Sequence, residues 1–270
     1  MCHPGANHQE ARQTQLSGQP DQPSLGPRLG ASMRLAQYLA LTGRCSRRAA
    51  SRLIRNGRVS LGDRLAKHTD SIELIETPTG TQASLSVCVD GEPLPPIADK
   101  AYWIFNKAVG TDCRLLAEDT TSLIHLLPRQ PRLYPVGRLD KDSRGLLLLT
   151  NDGELTQRLM HPSFAHHKRY HVRLDRPFDD DFVVKMAAGV SYKDVTTQPC
   201  QVTRLGQDSF EIVLTQGLNR QIRRMSKTLG HKVIDLKRVA IESLTLGDLP
   251  EGEMRPLTQA ELDELWCDLA

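Results

Sequence analysis

A chain of 270 residues, 39% hydrophobic and 25% charged, has the composition of an ordinary globular protein with room for two small cores. Its longest apolar run is far short of the ~20 residues of a membrane-spanning helix, and its first residues lack an apolar leader core, so a cytoplasmic protein with no membrane association is expected. A net charge of +3 decides nothing by itself; its distribution along the chain does.

Residues 1–32, rich in Gln, Pro, Gly and Ser, are expected to form a disordered tail. From Met33, the spacing of Leu35, Tyr38, Leu39 and Leu41 predicts a helix closed by Thr42-Gly43. Ser46 is a suitable N-cap for a second helix over 47–55, ended by Asn56-Gly57. Val59 and Leu61 alternate like a short strand before a turn at Gly62-Asp63. Between Met33 and Gly62 there is no acidic residue, yet Arg34, Arg44, Arg47, Arg48, Arg52, Arg55 and Arg58 all fall there. A one-sign stretch on two helices points to a polyanion, and the planar guanidinium suits phosphate. The order of these elements, with Arg34-Leu35-Ala36-Gln37-Tyr38-Leu39, Cys45-Ser46-Arg47-Arg48 and Ile54-Arg55-Asn56-Gly57-Arg58-Val59, resembles the S4 RNA-binding module. One departure is Gly62-Asp63, where that module often has Asn-Gly; a hairpin turn tolerates either pair. The first domain is therefore expected over 33–80. The Pro-containing stretch 81–98 reads as a linker.

From Lys100 the pattern changes. Strands are expected near 101–105, 146–149, 170–174 and 210–215, and helices over 154–160 and 180–188. Strands and helices mixed without strict alternation indicate an α+β domain over 99–265. Six scattered cysteines with no Cys-x-x-Cys pair read as reduced structural thiols. His161, His166, His167 and His171 lack matching acids or cysteines at metal-ligand spacing, so no metal site is expected.

Two segments carry chemistry. Residues 134–150 run from a polar, glycine-bracketed loop into four leucines, so a loop carboxylate is presented on a rigid, buried strand. Arg138, Lys141 and Arg144 surround Asp140 and favour its ionised form, fit for nucleophile work; Asp142 is an equal candidate by spacing. In the second segment, Asn219 and Gly230 bracket a helix. Arg220, Arg223, Arg224 and Lys227 share one face of it, and Ile222, Met225 and Leu229 the other. Four like charges on one face call for phosphate or a buried carboxylate.

Together, Gly137-Arg138-Leu139-Asp140, Gly145-Leu146-Leu147-Leu148-Leu149-Thr150-Asn151-Asp152-Gly153 and Gln216-Gly217-Leu218-Asn219-Arg220-Gln221-Ile222-Arg223-Arg224-Met225 resemble the RsuA-type pseudouridine synthases, in the branch acting on large-subunit (23S) rRNA. The likeness runs from Met33 to about Leu265. Asn106-Lys107-Ala108, where many relatives have Asn-Lys-Pro, and Ser143, in place of the usual Thr, depart from the pattern away from the reacting carboxylate.

The resemblance implies a small S4-like domain of two helices and short strands. It also implies a larger catalytic domain with a mixed, mainly antiparallel sheet and flanking helices. It selects Asp140 over Asp142 as the reacting carboxylate, places Tyr170 against the uracil as acceptor of the C5 proton, and pairs Arg223 with the aspartate. Arg138 would fill the space left by a flipped-out uridine. Leu139, Lys141, Leu218, Asn219, Arg220 and Gln221 would contact flanking RNA, as would Arg34, Ser46, Arg47 and Arg48 in the first domain. The implied reaction is an isomerisation that needs no cofactor. The implied partner is RNA, 23S rRNA first and tRNA second, acted on by a monomer.

Overall fold

The computed structural model describes Gly30 and residues 32–270. Apart from Gly30 and Ser32, the tail expected over 1–32 lies outside the described residues.

Strand β1 (Ser32–Arg34) passes directly into helix α1 (Leu35–Leu41), whose Leu35, Tyr38 and Leu39 are buried at helical spacing. Ser46 caps α2 (Arg47–Arg55): its Oγ accepts the Ala49 amide at 3.2 Å, satisfying one of the donors that a helix start leaves open. The arginines keep to the outer side of α2 while Ala50 and Ile54 face inward. Strands β2 (Val59–Leu61), β3 (Arg64–Leu65), β4 (Ser71–Thr77), β5 (Gly80–Ala83), β6 (Val87–Val89) and β7 (Glu92–Pro93) follow. They form two small sheets, β1-β4-β5 and β3-β2-β6-β7. The stretch 81–98 is therefore not a plain linker. Ala83, Val87 and Val89 alternate inward to complete the core around Leu39 and Ile54, and the Ile97 amide still bonds back to the Thr81 carbonyl at 2.8 Å. Its prolines sit at Pro93, on a two-residue strand, and beyond it, where a missing donor costs no central pairing.

The larger unit consists of β8 (Tyr102–Lys107), β9 (Tyr134–Pro135), β10 (Arg144–Thr150), α3 (Gly153–Met160), β11 (Lys168–Leu174), α4 (Asp180–Ala188), β12 (Ser191–Tyr192), β13 (Val195–Thr196), β14 (Gln201–Arg204), β15 (Ser209–Leu214), α5 (Gln221–Thr228), β16 (Val233–Ile241), β17 (Leu244–Thr245), β18 (Met254–Pro256) and α6 (Gln259–Asp268). Its sheet runs β14-β15-β11-β16-β10-β8-β18, with β9 on β10 and β17 on β16. Within it only β10 and β16 are parallel, as the mixed, mainly antiparallel expectation requires.

The four leucines of β10 are each wholly buried because the sheet is covered on both faces. Leu146 and Leu148 pack with Leu155 of α3 and Leu265 of α6, while Leu147 and Leu149 pack with Phe105, Leu133 and Leu139 on the other face. At about 1.5–3 kcal/mol for each buried leucine, this strand anchors the loop in front of it. A second core on that other face joins β11, β15, α4 and α5 through Phe182, Phe210, Ile222 and Met225. Tyr170 packs against both cores and marks the seam between them.

Candidate active site

The site is organised by one row of residues across the sheet. Lys107 of β8 pairs with Gly145 of β10, Gly145 with Arg238 of β16, Arg238 with Tyr170 of β11, and Tyr170 with Ile212 of β15. Residues in register across strands share a face, so these side chains are neighbours. Gly145 is needed in this row. A Cβ there would lie 2.2 Å from the Arg238 carbonyl oxygen, and its φ of +104° is one that other residues rarely adopt. The loop that carries Asp140 ends at this glycine.

Lys107, absent from the sequence expectations, holds that loop from below. It is wholly buried, and its Nζ donates to the carbonyls of Ser143 at 2.6 Å, Ala108 at 3.0 Å and Lys141 at 3.4 Å. Burial pushes its pKa down from the ordinary lysine value, opposed by the nearby Cys113, Asp142, Asp112 and Asp140. The signal for it is a lysine closing a largely apolar strand, in the altered Asn106-Lys107-Ala108. Above it, the Ser143 amide donates to the Asp140 carbonyl at 3.0 Å and the Gly110 amide to the Lys141 carbonyl at 2.8 Å, closing the loop into a tight turn. Arg238, also not foreseen, donates from Nε to the Leu146 carbonyl at 2.8 Å.

The two rival carboxylates have different surroundings. Asp142 takes both ends of the Arg220 guanidinium, at 2.9 and 2.8 Å, and has Arg223 Nε at 3.5 Å. Hydrogen bonding to Arg220 holds its carboxyl below the usual carboxylate range. Asp140 has a single looser contact, Arg220 Nη1 at 3.5 Å, and is half-buried at the wall of an open cleft of about 370 Å³ formed with Val109, Gly110, Lys141, Asp142 and Arg220. Both Asp142 oxygens thus accept from Arg220, whereas the ion-pair contact of Asp140 is longer and leaves its oxygens open to the cleft that both carboxylates line.

Several expected placements change. The guanidinium that reaches Asp140 is Arg220's. Arg223 instead donates to the Asp142 carbonyl at 2.7 Å, Ser143 Oγ at 3.3 Å and the Val233 carbonyl at 3.3 Å. Helix α5 begins at Gln221, and Arg220 sits before it in a left-handed conformation (φ 51°, ψ 37°), from which its guanidinium meets Asp142 and Asp140. Asn219 does not cap; its Oδ1 accepts from Arg224 at 2.8 Å. Leu139 is buried in the core beside Leu147, with its amide 3.4 Å from Cys113 Sγ. Gln221 is buried as well, accepting the Leu218 amide and donating to Gln216, each at 3.2 Å, to shape the preceding loop.

Arg138, Lys141, Leu218 and Asn219 remain exposed around the cleft. In the first domain Arg47 and Arg48 are exposed; Arg34 donates to the Thr69 carbonyl at 2.8 Å, and the Ser46 hydroxyl serves as the helix cap. The four histidines do not converge. His166 and His167 meet Glu242, His171 meets Glu211, and His161 bonds Ser163.

The arrangement offers a carboxylate on a rigid strand-anchored loop, an adjacent cation, an aromatic at the seam of two cores, and exposed basic groups on the rim. The family described as RNA pseudouridylate synthase matches residues 101–228, which hold all of these. Over 237 residues the chain is 36% identical to the dual-specificity RNA pseudouridine synthase RluF of Escherichia coli O157:H7, covering 87% of this chain and 79% of that one. It is 33% identical over 235 residues to the ribosomal small subunit pseudouridine synthase A of Yersinia pestis, covering 85% of this chain and 97% of that one. A crystal structure of a pseudouridylate synthase superposes with a TM-score of 0.60 at 28% identity, covering 86% of this chain and 99% of that one. The chain belongs to the RNA pseudouridine synthase family.

Proposed function

We propose that this protein isomerises a specific uridine of 23S rRNA, with Asp140 as the reacting carboxylate. The observation that carries the assignment is the contrast within one loop: Asp142 spends its oxygens on Arg220 and Arg223, while Asp140 faces the cleft with one 3.5 Å contact.

The uridine leaves its stack to reach the cleft, at a cost of a few kcal/mol, roughly. Arg138, exposed beside Asp140, takes the space it leaves. The N1–C1′ bond breaks, a C5–C1′ bond forms, a proton leaves C5 and a proton is gained at N1. Atoms and electrons balance within the nucleotide, so the reaction calls for no cofactor. Asp140 acts on the nucleotide and Tyr170 takes the C5 proton. Arg220 and Arg223, held by Asp142, keep positive charge beside the reacting carboxylate. Lys141, Leu218 and Asn219 border the flanking strand. The first domain, with Arg47 and Arg48 on the outer face of α2, binds RNA as an S4-like module. The protein works as a monomer in the cytoplasm.

Transfer of C1′ to C5 expels the C5 hydrogen, so tritium release from RNA carrying [5-³H]uridine measures turnover directly. Wild-type protein is expected to release tritium from a 23S transcript, and Asp140→Asn to release none while still binding RNA. Equal turnover by both would remove Asp140 from the mechanism. Release from tRNA alone would move the substrate to tRNA.

A further inference from the structure

Segment 161–167 has no part in the mechanism above, yet it links two elements that reach the site, α3 and β11. Met160 Sδ is 3.0 Å from where a Cβ on Gly137 would be, and β11 carries Tyr170. Within the segment Phe164 is 51% exposed, which no folding requirement explains. Its ring lies 5.9 Å from that of His166 at 27°, and 5.6 Å from that of His161 at 61°.

The backing ring is fixed. His166 is buried, with Nε2 2.9 Å from the Arg158 carbonyl oxygen and Nδ1 3.2 Å from Glu242 Oε1. The same Glu242 oxygen accepts the His167 amide at 2.7 Å. An exposed ring on a tethered ring is a prepared flat surface, four residues along the chain from Met160, which meets the loop that presents Asp140.

We propose that Phe164, backed by His166, is a stacking platform for a base of the RNA strand next to the flipped-out uridine. Unstacked bases are held on aromatic faces largely regardless of sequence, and an RNA strand opened at one nucleotide exposes such a base beside it. The proposal rests on the reading that RNA uridine is the substrate.

Tritium release from a [5-³H]uridine-labelled 23S transcript, followed over a series of salt concentrations, tests it. Phe164→Ala is expected to raise KM about 5- to 150-fold, the range of one lost base stack, with kcat within about twofold of wild type. Phe164→Trp should restore KM. The slope of log(kcat/KM) against log salt should not change, since no phosphate contact is lost. An unaltered KM in Phe164→Ala overturns the platform. So does an equal defect in Phe164→Trp, which would indicate local packing, or a shallower salt slope, which would indicate an ionic role. Absence of tritium release by wild-type protein would instead remove the proposed function.

Discussion

Lys107→Met separates the geometry of the reactive loop from its chemistry, because methionine keeps an unbranched side chain as far as Cε, with sulfur for one methylene, and removes the ammonium. Ser143 is buried, so its carbonyl, 2.6 Å from Nζ, loses its partner where water cannot replace it. An unpaired buried acceptor costs about 1–3 kcal/mol, offset in part because no ammonium then has to be desolvated. A net loss of about 1–2 kcal/mol in urea denaturation is expected. The effect on catalysis is expected to be larger. Loosening 141–143 shifts Asp140, whose carbonyl closes the same turn through the Ser143 amide, and a displacement of about 1 Å costs on the order of 100-fold in rate. Tritium release should show that loss in kcat with little change in KM.

The pH dependence has a definite sign. Burial lowers the native pKa of Lys107, while in the unfolded chain it titrates near 10.4, roughly. Between those values the unfolded chain binds more protons, so this residue makes wild-type stability rise with pH. The difference between wild type and Lys107→Met should therefore widen in wild type's favour across that window. A kcat within about threefold of wild type would refute the claim that Lys107 sets the loop.

Gly145→Ala places a methyl group 2.2 Å from the Arg238 carbonyl oxygen at a positive φ, so the only parallel pairing of the sheet must part; a loss of about 3 kcal/mol or more in urea denaturation is expected, together with a fall in kcat. Gly137→Ala meets only the thioether of Met160 at 3.0 Å, which can move aside, and should cost clearly less by the same measurement. Replacing Arg47, Arg48 and Arg52 together by Gln should leave the urea midpoint near wild type, since all three are exposed. The same variant should raise KM for RNA and make the salt slope shallower by roughly 2–3.

Elements whose pattern is local were legible in the sequence. The bounds of α2 follow from Ser46 and Asn56-Gly57, and the buried run of leucines announced the centre of the sheet. Strand β16 is hard to read because Val233–Ile241 mixes Asp235, Lys237 and Arg238 into an apolar alternation, and only partners across the sheet explain Asp235 and Arg238. Within the site, Asp140 and Asp142 are indistinguishable by spacing; what separates them is where Arg220 points. That depends on one left-handed backbone conformation for which a non-glycine residue carries no sequence mark. The pairing of Arg223 with the aspartate comes from the resemblance alone; here Arg223 meets Asp142, and Arg220 is the guanidinium nearer Asp140. Leu139 and Gln221 carry no mark of burial in the motifs that name them as RNA contacts; an apolar residue ahead of a buried strand and an amide on the first residue of a helix can equally well face inward.

The parallel pairing of Arg144 with Lys237 and Gly145 with Arg238 joins stretches of chain ~90 positions apart. During synthesis, the segment bearing Asp140 leaves the ribosome long before the strand that completes its support. The first domain, by contrast, closes on contacts within its own span and can fold while the remainder is still being made. A nascent chain would thus acquire its arginine-studded surface first and its reactive centre only once β16 has emerged. Chemistry is thereby withheld from incomplete chains in a compartment crowded with RNA.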